Sequence, residues 1–281
     1  MARLFALLQR LLPQHLLSRI VGRLANVNAV WMRVPLIKLF VAMYGVDLGE
    51  AEFSSPRDYA SFNAFFTRKL KPSLRPVSGS ISSPADGTVS MAGRLQGNQM
   101  LQAKGLNYSL EKLLAGDEAT QFRNGSYVTI YLSPRDYHRV HIPVTANLVA
   151  ARYVPGKLFS VNQATTGAIA DLFAANERLV MHFSTDLGPM VVVMVGAMIV
   201  AGIKTVWRDR LYSPREADRE RFEPPRHFDQ GAELGLFEMG STVIVIFQRE
   251  VPWTVKPGDK VRMGEAMVDW QLDEGRGSSR L

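Results

Sequence analysis

Cysteine is absent from all 281 residues, which excludes disulfides, thiolate zinc sites and cysteine nucleophiles. Acid is absent from the first 46 residues, where Arg3, Arg10, Arg19, Arg23, Arg33 and Lys38 all precede the first carboxylate, Asp47. The net charge of +7 is therefore an N-terminal property, because the remaining residues hold 27 basic and 26 acidic side chains. A near-neutral body argues against a nucleic-acid-binding core, which needs clustered cations on the folded domain. No uncharged apolar run reaches the ~18 residues that a membrane span requires. No G-x-S-x-G is present, so an α/β-hydrolase elbow is unsupported. Histidine is scarce, at positions 15, 138, 141, 182 and 227 only.

What is present begins with an apolar, basic segment, residues 1–46. Leu4, Leu7, Leu8, Leu11 and Leu12 follow the spacing of one helix face, and Pro13 interrupts them. Leu16, Leu17, Ile20, Val21 and Leu24 form a second stripe flanked by Arg19 and Arg23, and a third apolar piece surrounds Trp31. This pattern predicts helices lying in a membrane interface, with arginines toward anionic headgroups. A mitochondrial transit peptide shares the acid-free composition, although serine is scarce; a secretory signal lacks its compact apolar region. Helices that merely cover the protein core are the remaining alternative.

Beyond residue 47 the pattern becomes β-rich. A short amphipathic helix is expected over Ser61–Pro72, and two more around Leu110–Ala115 and Ala168–Asn176. Strand-like runs occupy Ser126–Leu132, Leu148–Tyr153, Leu179–Phe183, Met190–Val200, Thr242–Phe247 and Lys260–Val268, separated by Gly, Pro and Asn. Val255–Met267 reads as a hairpin, similar to that of biotinyl- and lipoyl-carrier domains but without their modifiable lysine. The expectation is an α+β chain: helical segment 1–46, a sandwich- or barrel-like domain over 47–272, and a polar tail, 273–281.

Chemistry concentrates in a few places. YLSPRDYHRVHIP, Tyr131–Pro143, places His138 and His141 in one polar loop after a strand. Their spacing raises a metal pair, but no ligand cluster elsewhere completes it, and no metal is expected. Asp86 sits in PADG and Ser241 follows Gly240 at the mouth of a β-branched run, STVIVIF. Asp, His and Ser, far apart in sequence and each beside turn residues, are the distribution of a nucleophile–base–orienter set, which geometry and not spacing defines. The Gly-Ser pair reads equally as a tight turn entering a core strand.

FNAFFTRKLKP, SSPADGTV, LQAKGLNYSLEKLLAG, YLSPRDYHRVHIP, VPGKLFSVN, NERLV, VGAMIVAGI and MGSTVIVIF, in that order from Phe62 to Phe247, resemble the bacterial-type phosphatidylserine decarboxylase proenzymes. One departure is visible, MGST in place of the family's usual LGST. The resemblance implies a self-processing triad of Asp86, His141 and Ser241. His141 would activate the Ser241 hydroxyl to attack the Gly240 carbonyl, and Asp86 would orient and stabilise the imidazole. β-Elimination and hydrolysis would leave a pyruvoyl cofactor where Ser241 stood, on a 41-residue short chain beside a long chain, 1–240. That carbonyl would form a Schiff base with the amine of phosphatidylserine and take up electrons as CO₂ leaves, with His138 assisting. The implied partners are phosphatidylserine in the bilayer and an anionic membrane surface contacting 1–46. The two chains would stay together, a homodimer is left open, and the setting is the cytoplasmic face of a bacterial inner membrane. Two other classes compete: a membrane-attached carrier or scaffold without catalysis, and a serine hydrolase using the same trio on external substrates.

Overall fold

The computed structural model describes residue 9 and residues 13–97, 99–103, 106–198, 202–213, 219–238 and 241–270. Gly240, the first leucine stripe and the tail 273–281 lie outside the described residues.

The run STVIVIF becomes the middle of the molecule. Eight antiparallel strands form one sheet in the order β11 (Arg219–Phe228), β7 (Ala146–Val154), β8 (Arg178–Thr185), β9 (Gly188–Gly196), β13 (Ser241–Phe247), β5 (Ser126–Leu132), β2 (Gly87–Arg94) and β14 (Lys260–Val261). Alternation sends Val243, Val245 and Phe247 to one face, where they meet Val140, Ile142, Ile203 and Phe237. These partners belong to or border a three-stranded sheet, β10 (Gly202–Thr205), β12 (Glu233–Glu238) and β6 (Arg139–His141). Ile244 and Ile246 point to the other face, against Leu110, Leu113, Phe122 and Phe173. A strand covered on both faces needs apolar side chains at every step, which is why this run shows no polar alternation. Burying each Val, Ile or Phe contributes about 1.5–3 kcal/mol.

Shorter elements complete the α+β architecture. Strand β1 (Ile81–Ser82) pairs with β15 (Ala266–Val268), and β3 (Gln99–Ala103) with β4 (Leu106–Ser109). The described helices are α1 (Gln14–Ala25), α2 (Val30–Tyr44), α3 (Phe62–Phe66), α4 (Leu110–Leu114), α5 (Gln163–Thr166) and α6 (Leu172–Ala175).

Four local expectations are corrected. The hairpin expected over Val255–Met267 is not one: β14 pairs with β2 and β15 with β1. A turn closed by Arg262 N–H to Glu265 Oε2 at 2.8 Å redirects the chain between the two strands. The helix expected over Ser61–Pro72 stops at Phe66, because backbone groups beyond it bond to the preceding segment. Glu52 N–H donates to Lys69 O and Lys71 N–H to Glu50 O, both at 2.9 Å. The helix expected over Ala168–Asn176 shortens to α6, and the strand expected to run to Val200 ends at Gly196.

Leu16, Ile20 and Leu24 of the second stripe face largely away from the core. Helix α1 buries Gln14, Ser18, Gly22 and Ala25 against the body, leaving Leu16, Ile20 and Leu24 roughly half exposed, at 50%, 47% and 54%. On α2, Trp31 is 79% exposed. Polar hooks hold α1 down: Gln14 Oε1 accepts from Leu158 N–H at 2.8 Å, and His15 Nε2 donates to Gly156 O at 3.0 Å. Among the described residues no single helix is long and apolar enough to cross a membrane, and α1 and α2 meet at a bend of 111°.

Candidate active site

Ser241 is the first residue of β13, and its neighbours are set by register: Leu132 on β5 and Gly196 on β9. It lies on the same face as Val243 and Val245, inside the layer between the two sheets, with 0% exposure. Among the described residues its Oγ has no hydrogen-bond partner. A buried hydroxyl left unpartnered costs about 1–3 kcal/mol; Thr242 and Thr129 share that state, so it is the place of Ser241 at the mouth of the central strand that sets it apart.

His138 also holds a buried polar atom with no hydrogen-bond partner among the described residues. The turn Ser133–Asp136 is locked by the Asp136 carboxylate, which accepts from Ser133 N–H and Ser133 Oγ–H at 2.7 Å each. It delivers His138 two residues before Val140, hence on the core-facing side of β6. The fully buried ring lies against Phe66 at 4.1 Å between centroids. Its Nδ1 donates to the Asp136 carbonyl at 2.8 Å, and among the described residues Nε2 has no partner. A carbonyl only accepts, so Nε2 carries the lone pair of a neutral imidazole. Burial, reinforced by the Arg68 guanidinium, pushes the His138 pKa down to about 3 against the pull of the Asp136 carbonyl.

His141 lies three residues on and therefore on the opposite face of β6. Nδ1 donates to Gly231 O at 2.8 Å and Nε2 accepts from the Tyr137 hydroxyl at 3.1 Å. Burial lowers its pKa, opposed by the Gly231 carbonyl and by the charges of Glu233 and Asp86. Asp86 thus acts on His141 through charge; among the described residues no hydrogen bond joins them. The Asp86 carboxylate is instead gripped by Arg75, Nε to Oδ1 at 3.0 Å and Nη2 to Oδ2 at 2.6 Å, and by Met263 N–H at 2.8 Å. Arg75 also donates to Glu50 at 2.7 Å. The following Gly87 is obligatory, since a Cβ there would lie 2.5 Å from the Tyr131 carbonyl oxygen.

Of the four residues singled out in the sequence, Ser241 and His138 are fully buried, each with a polar atom that has no hydrogen-bond partner among the described residues. Asp86 and His141 sit in a charged cluster with Arg75, Tyr137, Arg139 and Glu233. Gly240 lies outside the described residues. Arg75 and Tyr137 escaped the sequence reading; Tyr137 stands inside the histidine motif, whereas Arg75, between prolines, gave no signal.

The chain is similar to known proteins over most of its length. A family model described as phosphatidylserine decarboxylase matches residues 62–269, and one described as PSD matches residues 4–45. A phosphatidylserine decarboxylase proenzyme of Azotobacter vinelandii is 49% identical over 278 residues, covering 94% of this chain and 97% of the relative. Proteins of the same name from Alcanivorax borkumensis and Methylococcus capsulatus are 48% and 49% identical, covering 93% and 87% of this chain and 94% and 88% of theirs. A match of that extent makes the chain a member of the phosphatidylserine decarboxylase family.

Proposed function

We propose that this chain cuts its own backbone between Gly240 and Ser241 and then removes CO₂ from phosphatidylserine, giving phosphatidylethanolamine. The observation that carries this reading is the buried, unpartnered Ser241 hydroxyl at the start of the central strand. Ser241 is the nucleophile. His141 is the base that takes its proton, and Asp86 stabilises the resulting imidazolium by charge. In the intact chain the Tyr137 hydroxyl occupies His141 Nε2, so activation requires Tyr137 to yield that atom.

The product is a pyruvoyl group at position 241, which supplies a carbonyl that condenses with the headgroup amine and accepts the electron pair released with CO₂. The surroundings fit it: Gly196 beside Ser241 has no side chain, and His138 offers a buried proton-accepting nitrogen. After cleavage β13 remains paired along seven residues with both β9 and β5, so the 41-residue fragment stays in the sheet as part of the mature enzyme. The exposed leucines and Trp31 of α1 and α2, with Arg19 and Arg23, dock the enzyme peripherally on an anionic bilayer, at the cytoplasmic face of a bacterial inner membrane.

A second reading exchanges the histidines. His138, whose buried Nε2 has no hydrogen-bond partner among the described residues, is then the base of self-cleavage. Denaturing gels with intact-mass measurement test both. Ser241→Ala is expected to remain one uncut chain, and cleavage at Gly240 in that variant refutes the proposal. Under the first reading His141→Ala stays whole while His138→Ala is cut but turns over slowly; under the second, His138→Ala stays whole.

A further inference from the structure

Decarboxylation consumes a proton: RCOO⁻ + H⁺ gives RH + CO₂. The bond to the carboxyl carbon breaks, its electron pair stays with the substrate, and that pair must finally form a C–H bond. His138 Nε2 holds a lone pair and its one ring proton is tied to the Asp136 carbonyl, so it is a base and not a donor. Asp86 is bound by Arg75, and the Tyr137 hydroxyl proton is directed at His141.

One carboxyl that none of these roles uses borders the same spot. Glu177 lies at the mouth of β8, and its carbonyl accepts from Gly196 N–H at 2.9 Å, while Gly196 O accepts from Asn176 Nδ2 at 2.8 Å. Gly196 therefore turns both backbone groups away from β13 and meets Ser241 as a non-hydrogen-bonded pair, the closer kind, with Cα atoms about 4.5 Å apart. Glu177, Gly196 and Ser241 form one row across three adjacent strands, side chains on one face. Because Gly196 has no side chain, the Glu177 side chain lies over it: a Cβ at Gly196 would be 3.0 Å from Glu177 Cγ and 3.2 Å from Oε1. That places Oε1 within about 8 Å of the Ser241 Cβ, a gap the size of a serine headgroup. Oε2 accepts from the Tyr153 hydroxyl at 2.9 Å, and Oε1 has no hydrogen bond among the described residues.

We propose that Glu177 is the proton donor of this site, delivering its carboxyl proton across Gly196 to the substrate carbon that has lost CO₂. The new C–H bond takes the electron pair left by the departing carboxyl, Glu177 becomes a carboxylate, and a solvent proton restores it. The idea rests on the decarboxylase reading and adds a residue to it. Burial raises the Glu177 pKa, opposed by the Tyr153 hydroxyl and by the charge of His15 on α1, the two groups that act on it. His138 and Glu177 are thus driven in opposite directions, the arrangement that separates a base from an acid at one pH.

The test uses the full chain with phosphatidylserine vesicles. Glu177→Gln keeps the shape and the neutral charge, so it should be cut into two fragments like the parent, with kcat lowered about 100-fold or more and KM little changed. Parent activity should fall as pH rises through the raised Glu177 pKa. Tyr153→Phe, which removes the bond favouring the carboxylate, should move that limb to higher pH. Independently of turnover, the uncut Ser241→Ala chain should show a protonated-carboxyl infrared band that persists above the ordinary glutamate value of 4.5 and is lost on adding Glu177→Gln. An uncut Glu177→Gln, a kcat within threefold of the parent, or no missing band overturns the proposal. A parent that remains uncut refutes the decarboxylase reading beneath it.

Discussion

Arg75 is the residue whose removal the structure predicts most sharply. Its guanidinium is 6% exposed and forks onto Asp86, 12% exposed, while one nitrogen also reaches Glu50, 26% exposed. Arg75→Met keeps the stem and deletes the charge, leaving two carboxylates in partial burial. Breaking a buried pair from one side costs about 3–5 kcal/mol. The lower end applies, because Asp86 retains Met263 N–H and Glu50 retains Arg262 at 3.1 Å. A loss of ~3 kcal/mol lowers Tm by about 6–12 °C in a chain of this size class. The assay is thermal unfolding of the uncut Ser241→Ala chain in detergent, which avoids a mixture of cleaved and whole molecules. Adding Asp86→Asn should recover part of the loss, since the neutral amide no longer needs the cation. The two changes should therefore be non-additive by more than 1 kcal/mol or so. Strict additivity, or a Tm drop under about 2 °C for Arg75→Met, refutes the claim that this ion pair holds Asp86. The pH dependence has a definite sign. Arg75 lowers the Glu50 pKa below its ordinary 4.5, so the stabilisation is present above 4.5 and is lost as pH falls through the lowered value.

Three further outcomes follow from other contacts. His138 is buried neutral with its pKa pushed down to about 3, so the unfolded chain binds one more proton between that value and about 6.5. Stability therefore falls with acidification in that window by up to about 1.4 kcal/mol per pH unit, and a His138→Phe chain should lose this slope in pH-dependent melts. Gly87→Ala places a methyl 2.5 Å from the Tyr131 carbonyl oxygen and 2.8 Å from Ile130 Cγ2; it should destabilise by about 1–3 kcal/mol and slow self-cleavage, and normal melting refutes the tight approach. Replacing Leu16, Ile20, Leu24 and Trp31 with serine removes exposed apolar surface only, so melting should be unchanged while vesicle flotation is lost; retained flotation sinks the docking role of these helices.

Much of this protein is written in local pattern. STVIVIF and SYVTIYL are continuous apolar or β-branched runs, and they became strands β13 and β5 over almost the residues expected, because a doubly covered strand admits little else. The candidate site residues Asp86, His138, His141 and Ser241 stand out in the sequence because each sits in a distinctive motif. What the pattern did not carry is which strand lies beside which. Lys260–Val268 reads as a hairpin by its turn glycines, but long-range pairing with β2 and β1 overrode that local preference. The leucine stripe of α1 defines a helix without saying which way it faces, and side-chain hydrogen bonds from Gln14 and His15 turned it outward. Two histidines three residues apart look like a pair in sequence, and the two-residue period of a strand separates them onto opposite faces. Nor does any spacing place Glu177 opposite Ser241. That row exists because β9 lies between β8 and β13 with a glycine at the crossing point, a relation fixed only when the whole sheet closes around its core.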